Sequence, residues 1–198
     1  NGSVNLNYRQ NRFNFFGGYD ARTGIFNSSG ETRRESSYNG ISSLLVQSQS
    51  MANERNSHNV NAGFDFYADD FNSFTFSVQY RNMLFGSEGD ILSTTYNADG
   101  SLTRSFNRFS NSEREIQSFT YNASYKRLFE KKGKELTVDF MVNDNSMGGS
   151  QDIRQEEFTS GMPQMDPVLQ LSGSDNTNRM YMLQANYTTP AGKGGRIE

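Results

Sequence analysis

The stretch that decides the fold reads Ser73-Phe74-Thr75-Phe76-Ser77-Val78-Gln79-Tyr80-Arg81. Phe74, Phe76, Val78 and Tyr80 occupy one parity, and Thr75, Ser77, Gln79 and Arg81 occupy the other. A β-strand sends alternate side chains to opposite faces, so this one has an apolar face and a polar one. Such a strand either covers a soluble core or stands in the wall of a water-filled membrane barrel with its apolar face to lipid.

The same alternation recurs on both sides of it. Val4, Leu6 and Tyr8 oppose Asn5, Asn7 and Arg9; beyond a turn at Gln10-Asn11-Arg12, Phe13, Phe15, Gly17, Tyr19 and Ala21 oppose Asn14, Gly18, Asp20 and Arg22, with Phe16 breaking the pattern. Val60, Ala62, Phe64 and Phe66 form the next apolar set, joined to the quoted strand by Ala68-Asp69-Asp70-Phe71-Asn72. Phe119, Tyr121, Ala123 and Tyr125 follow, then the turn Glu130-Lys131-Lys132-Gly133-Lys134, then Leu136, Val138, Phe140 and Val142. Tyr181, Leu183, Ala185 and Tyr187 close the series before a turn at Pro190-Ala191-Gly192-Lys193-Gly194-Gly195 and a stub, Arg196-Ile197-Glu198.

Between these sets the chain is polar. Residues 27–39 read as strand ends plus a solvated loop, and 41–46 read as a strand whose face is blurred by Leu44-Leu45-Val46. Asn97-Ala98-Asp99-Gly100-Ser101 reads as a hairpin turn with Gly100 available for positive φ. Irregular polar sequence extends to Asn178, where Pro163 and Pro167 disfavour a central strand.

The spacing selects between the two environments. Turn centres at Asn11, Asp70, Lys132 and Lys193 lie 59, 62 and 61 residues apart, and every regular apolar set flanks one of these short turns. A soluble sandwich has no reason to gather its apolar segments at one end of every hairpin. A membrane barrel has: about 9 to 11 tilted residues cross the hydrocarbon, with short periplasmic turns and longer extracellular excursions. Tyr8, Phe13, Phe66, Phe71, Phe74, Phe129 and Tyr187 cluster beside the short turns, where an interfacial aromatic girdle sits. The fold class expected is all-β: an antiparallel up-and-down transmembrane barrel segment of about seven long strands plus a stub. Seven strands and a stub do not close, and lipid tolerates no open edge, so 1–198 reads as a single segment of a larger barrel.

Composition agrees. An apolar share of 33% and a mean hydropathy of -0.79 are low for a packed domain, yet 16 Phe and 10 Tyr are what a disordered chain lacks. A net charge of -3 supplies no positive field for nucleic acid, and the absence of cysteine removes disulfides and thiolate metal sites. No apolar run reaches the length of a membrane helix, which says nothing about strands.

The run Gly2-Ser-Val-Asn-Leu-Asn-Tyr-Arg-Gln-Asn-Arg-Phe-Asn-Phe-Phe-Gly-Gly-Tyr resembles a strand, turn and strand of the barrels of TonB-dependent outer-membrane receptors, in the branch called the outer membrane protein β-barrel family. Ser57-His-Asn-Val-Asn-Ala-Gly-Phe-Asp-Phe-Tyr, Tyr125-Lys-Arg-Leu-Phe-Glu-Lys-Lys-Gly-Lys-Glu-Leu-Thr-Val-Asp-Phe and Gln184-Ala-Asn-Tyr-Thr-Thr-Pro-Ala-Gly-Lys-Gly-Gly-Arg-Ile-Glu are similar to successive later hairpins, in order. The resemblance implies a receptor of about 22 strands in the outer membrane of a Gram-negative bacterium, with an amino-terminal plug and energy drawn from an inner-membrane complex. This sequence departs from that pattern in containing no plug, no TonB-contacting segment and no terminal aromatic strand end, and any signal peptide is expected outside 1–198. Expected partners are outer-membrane lipid, the remaining strands and plug of the parent barrel, the inner-membrane energy-transducing complex or a surface lipoprotein, and no nucleic acid.

Individual residues offer no catalytic, cofactor or metal set, and an enzyme is not expected. His58 is the single histidine and reads as a solvent or lumen residue. Asp69-Asp70 and Glu156-Glu157 read as a solvated turn pair and as neighbours pointing oppositely. Gly148-Gly149 and Gly194-Gly195 lack phosphate-loop and dinucleotide patterns and read as turns. Arg33-Arg34 and Lys131-Lys132-Lys134 read as solvated, with lipid phosphate as a second option. The 161–173 stretch, with Met162, Met165, Val168, Leu169 and Leu171, reads as an exposed loop able to touch a neighbouring loop, a partner or a plug. The functional expectation is nutrient uptake across the outer membrane. The alternatives are a non-transporting barrel scaffold of a secretion or assembly complex, and a soluble all-β surface binding module.

Overall fold

Aromatic and β-branched residues at period two favour pleated strands, and the computed structural model, which describes residues 1–159, 162–163, 166–191 and 195–197, runs almost every described residue into one. The strands are β1 (Gly2–Gln10), β2 (Phe13–Tyr38), β3 (Ile41–Tyr67), β4 (Asn72–Asn97), β5 (Leu102–Leu128), β6 (Glu135–Thr159), a two-residue β7 (Met162–Pro163), β8 (Val168–Ala191) and β9 (Gly195–Ile197). Each long strand pairs antiparallel with the next, in the order β1-β2-β3-β4-β5-β6-β8-β9, while β7 pairs with β6 alone. This is an up-and-down sheet of seven long strands and a short last one, as the alternation predicts.

Strand length departs from the sequence reading. Residues 27–39 are strand as far as Tyr38, and β3 pairs with β2 along its whole length to Ile41. The reversal takes only Asn39 and Gly40, at φ 51° and 78°, the conformation an Asn-Gly hairpin turn requires. Likewise β8 begins at Val168, immediately after Pro167, so most of the stretch expected to be irregular up to Asn178 is paired strand. Gly148 and Gly149 lie inside β6 and make no turn. Of the other glycine pair, Gly194 lies outside the described residues, as do Gly192 and Lys193 of the final turn and Gly161 and Met165; Gly195 opens β9. Gly100 has the expected positive φ of 83°.

No hydrophobic side chain is buried among the described residues. The three buried residues are polar, Ser57, Ser93 and Thr188, and all three lie on the polar face. The polar face is the more sheltered one, as the inner wall of a water-filled barrel segment is, and the apolar face is the outer one.

Candidate membrane-facing and lumen-facing surfaces

Register converts seven separate alternations into one surface. Paired residues share a face, and the pairings place Leu6, Gly17, Ala62, Val78, Tyr121, Val142 and Tyr181 in a single row across seven strands. The row nearer the turns reads Tyr8, Phe15, Phe64, Phe76, Ala123, Phe140 and Leu183; the next reads Gln10, Phe13, Phe66, Phe74, Tyr125, Val138 and Ala185. On the other side stands Val4, Tyr19, Val60, Tyr80 and Phe119, where the apolar run stops at an ion pair between Asp144 and Arg179. The band is about 8 residues deep, roughly 27 Å along a strand before tilt, which matches an outward hydrocarbon-facing belt.

The turn end of the band is aromatic. Phe13 stacks on Phe66 at 4.8 Å, Phe66 on Phe74 at 6.3 Å and Phe74 on Tyr125 at 4.9 Å, a chain of rings across four strands. Phe129 meets Tyr187 edge-on at 6.2 Å, with the Lys134 ammonium 4.6 Å from the Phe129 ring. Of the girdle residues inferred from sequence, Phe13, Phe66 and Phe74 share one row, Tyr8 lies one row farther from the turns and Tyr187 one row nearer, with Lys134 beside Phe129 and Tyr187.

The inner wall is a hydrogen-bonded polar lattice. Asp65 accepts from Asn14 at 3.0 Å and from the Thr75 hydroxyl at 2.7 Å; Ser124 donates to Asp139 at 2.6 Å, and Asn143 donates to Thr120 at 2.7 Å. Cross-strand pairs of this kind hold neighbouring strands in register. Phe16, which breaks the sequence alternation, points inward opposite Gly63, and a β-carbon at Gly63 would fall 2.6 Å from its ring. The ring covers the gap that a glycine leaves.

Beyond the band the strands keep both register and parity as far as a bulge at Thr95/Tyr96 near the end of the β4–β5 ladder, and the charges separate. Glu54, Glu88, Asp90, Glu113, Glu115, Asp152 and Asp175 take the outer face, where Arg33 and Arg154 pair with Glu31 and Glu156. Arg22, Arg34, Arg55, Arg104, Arg108 and Arg114 take the inner face. Arg22 pairs with Asp20 at 3.1 Å, Arg104 with Glu157, and Arg108 binds the Gln155 amide oxygen at 2.8 Å. This sorting is encoded by parity in the sequence but carries no apolar contrast to reveal it.

The residues singled out from sequence do not converge. His58 is on the outer face, not in the lumen; its Nδ1 and the Tyr19 hydroxyl are 2.7 Å apart at the upper margin of the band. Asp69 braces its turn, accepting from the Phe71 and Asn72 amides at 2.8 Å each, and these bonds hold its carboxyl below the usual range. Glu156 and Glu157 face opposite sides, and so do Arg33 and Arg34. Val168, Leu169 and Leu171 are exposed but lie in β8, so the expected loop is wall. Among the described residues no cluster of three metal-ligating side chains occurs.

An outward apolar belt over a hydrated inner wall defines the wall of a membrane β-barrel. The chain is similar in sequence to the Outer membrane protein beta-barrel family, whose model matches residues 127–198, and that family places it in the bacterial outer membrane. A chain of the RagAB peptide importer in its closed-closed state is similar in structure, at 11% identity over 93% of this chain, with a TM-score of 0.44. A chain of the RagAB peptide transporter is similar at 12% identity over 93%, with a TM-score of 0.42. This chain spans 29% and 30% of those chains. No curated protein matches it in sequence.

Proposed function

We propose that this chain is part of the wall of a larger, TonB-dependent-receptor-like barrel that takes part in nutrient uptake across the outer membrane. The observation that carries the reading is the apolar belt laid by register across seven strands, backed by a polar inner wall. Only a wall with lipid on one side and water on the other needs both. The free edges of β1 and β8 support a larger barrel, because unpaired amides in hydrocarbon cost several kcal/mol each and must find a neighbouring strand. The strands rise beyond the belt for more than half their length, which gives an outer vestibule where solute meets the wall before translocation. A soluble binding module would have to cover the Phe74 and Tyr80 face with a second layer; among the described residues nothing does.

The test is growth and uptake in a strain lacking the full-length gene. Uptake that returns with the gene and stops when a protonophore collapses the inner-membrane gradient supports the reading. Normal uptake alongside a secretion or surface-assembly defect overturns it in favour of a scaffold.

A further inference from the structure

Alternation turns a nearly neutral sequence into a charged wall. Arg55 follows Glu54, and Arg114 lies between Glu113 and Glu115, yet parity sends those acids through the sheet to the other side. Arg55, Phe85 and Arg114 then form one row across three inner-facing strands, with Gly24 and Gly149 as the flanking neighbours. The Arg55 guanidinium lies 5.4 Å from the centre of the Phe85 ring, and among the described residues neither Arg55 nor Arg114 has an ion-pair partner. Arginines placed to stabilise the sheet would stand opposite acids; these stand opposite an aromatic ring and small residues. Beside Phe85 and Arg114 opens a basin of about 600 Å³, a volume suited to a small solute, lined also by Ser87, Ser112, Gln151 and Ser174; Arg55 stands at its edge, across the Phe85 ring.

We propose that this basin is a subsite for acidic oligosaccharide, with Arg55 and Arg114 meeting uronate carboxylates. Two strand spacings, about 10 Å, separate the two arginine backbones, enough for charges on successive sugar units. Serine hydroxyls and the Gln151 amide match a ligand rich in hydroxyls, and Phe85 offers an apolar edge for the C–H face of a pyranose. The guanidinium fork suits carboxylate geometry, and like charges on a concave wall focus the field toward incoming anions. The proposal rests on the uptake reading above for its physiological setting but not for its measurement.

Tetragalacturonate titrated calorimetrically into the purified full-length protein in detergent is the test. Arg55→Gln and Arg114→Gln each weaken binding by about tenfold or more, the size of a lost charged hydrogen bond. Ser112→Glu, which keeps both arginines and adds a carboxylate to the basin, weakens it too, while Glu54→Gln, on the outer face and outside the basin, does not. Affinity falls as salt rises. Equal binding of the methyl-esterified tetramer, tighter binding of tetra-aspartate, or an unchanged affinity in the double arginine variant overturns the proposal. Heat-modifiable gel mobility reports folding of every variant. Absence of binding by the unsubstituted protein removes the subsite; binding without energised uptake in cells removes the uptake reading alone.

Discussion

Val78 and Gln79 are joined by one peptide bond and face two different solvents. Val78 stands between Ala62 and Tyr121 in the outer belt, and Gln79 between Asn61 and Thr120 on the inner wall. Arginine at Val78 puts a charge into hydrocarbon near the belt's centre and costs roughly 2 to 4 kcal/mol of membrane folding stability; arginine at Gln79 costs close to nothing. Denaturant titration of the two variants refolded in lipid vesicles measures the difference, and equal midpoints would refute the assignment of faces. At the turn end, Asp69 carries a different kind of information. Its carboxylate accepts from the Phe71 and Asn72 amides, which lowers its pKa in the folded chain. The sign follows: the brace is complete above the ordinary aspartate value of about 3.9 and is lost as pH falls through the lowered folded value. Asp69→Ala removes the brace at every pH, so faster amide exchange at Phe71 and Asn72 is expected at neutral pH. The variant loses nothing further below pH ~4, where the parent turn weakens.

At the scale of the element, the β2–β3 hairpin is held by two residues. Gly40 has φ 78° and Asn39 φ 51°, so a β-branched residue at Gly40 is strained by about 1 to 2 kcal/mol. Gly40→Val is expected to raise amide exchange in residues 33–46 while leaving the belt of the same two strands protected. A uniform rise along both strands would mean that the turn governs the whole hairpin rather than its outer end. The same hairpin shows what the sequence makes legible. Where one face meets lipid, the contrast between Phe64 and Gly63 or Asp65 announces parity, so the belt positions are readable, with the exception of Gln10 beside its turn. Where water bathes both faces, as from Asn27 to Ser37, neither parity is apolar and strand looks like loop. The backbone ladder, not the side-chain pattern, carries the strand there, and only the Asn39-Gly40 pair marked its end. Gly148 and Gly149 misled for the same reason: glycine within a long paired strand loses its meaning as punctuation once both neighbours hold the register. The inner arginines kept strict parity through this region, and extending the alternation from Tyr80 or Phe119 outward would have found them.

For the whole molecule, the belt and the inner wall make a joint prediction about solvent access. The chain has no cysteine, so single cysteines can be placed anywhere as unique reporters. In the full-length protein reconstituted in vesicles, a membrane-impermeant maleimide should label positions 75, 77, 79, 120, 122, 137 and 139 and spare 74, 76, 78, 121, 123, 138 and 140. The period of two should hold on β4, β5 and β6 in phase, because one register binds them. From Ser105 to Ser112 the period should vanish, since both faces there lie beyond hydrocarbon. These outcomes separate architectures that local alternation leaves degenerate. A two-layer soluble sandwich also hides one parity, but it would hide it along the full strand length and without lipid. A barrel that inserted no deeper than the aromatic row at Phe66, Phe74 and Tyr125 would protect only that row. Protection confined to four consecutive outward rows, and lost together when lipid is replaced by denaturant, is what a lipid-facing belt alone produces.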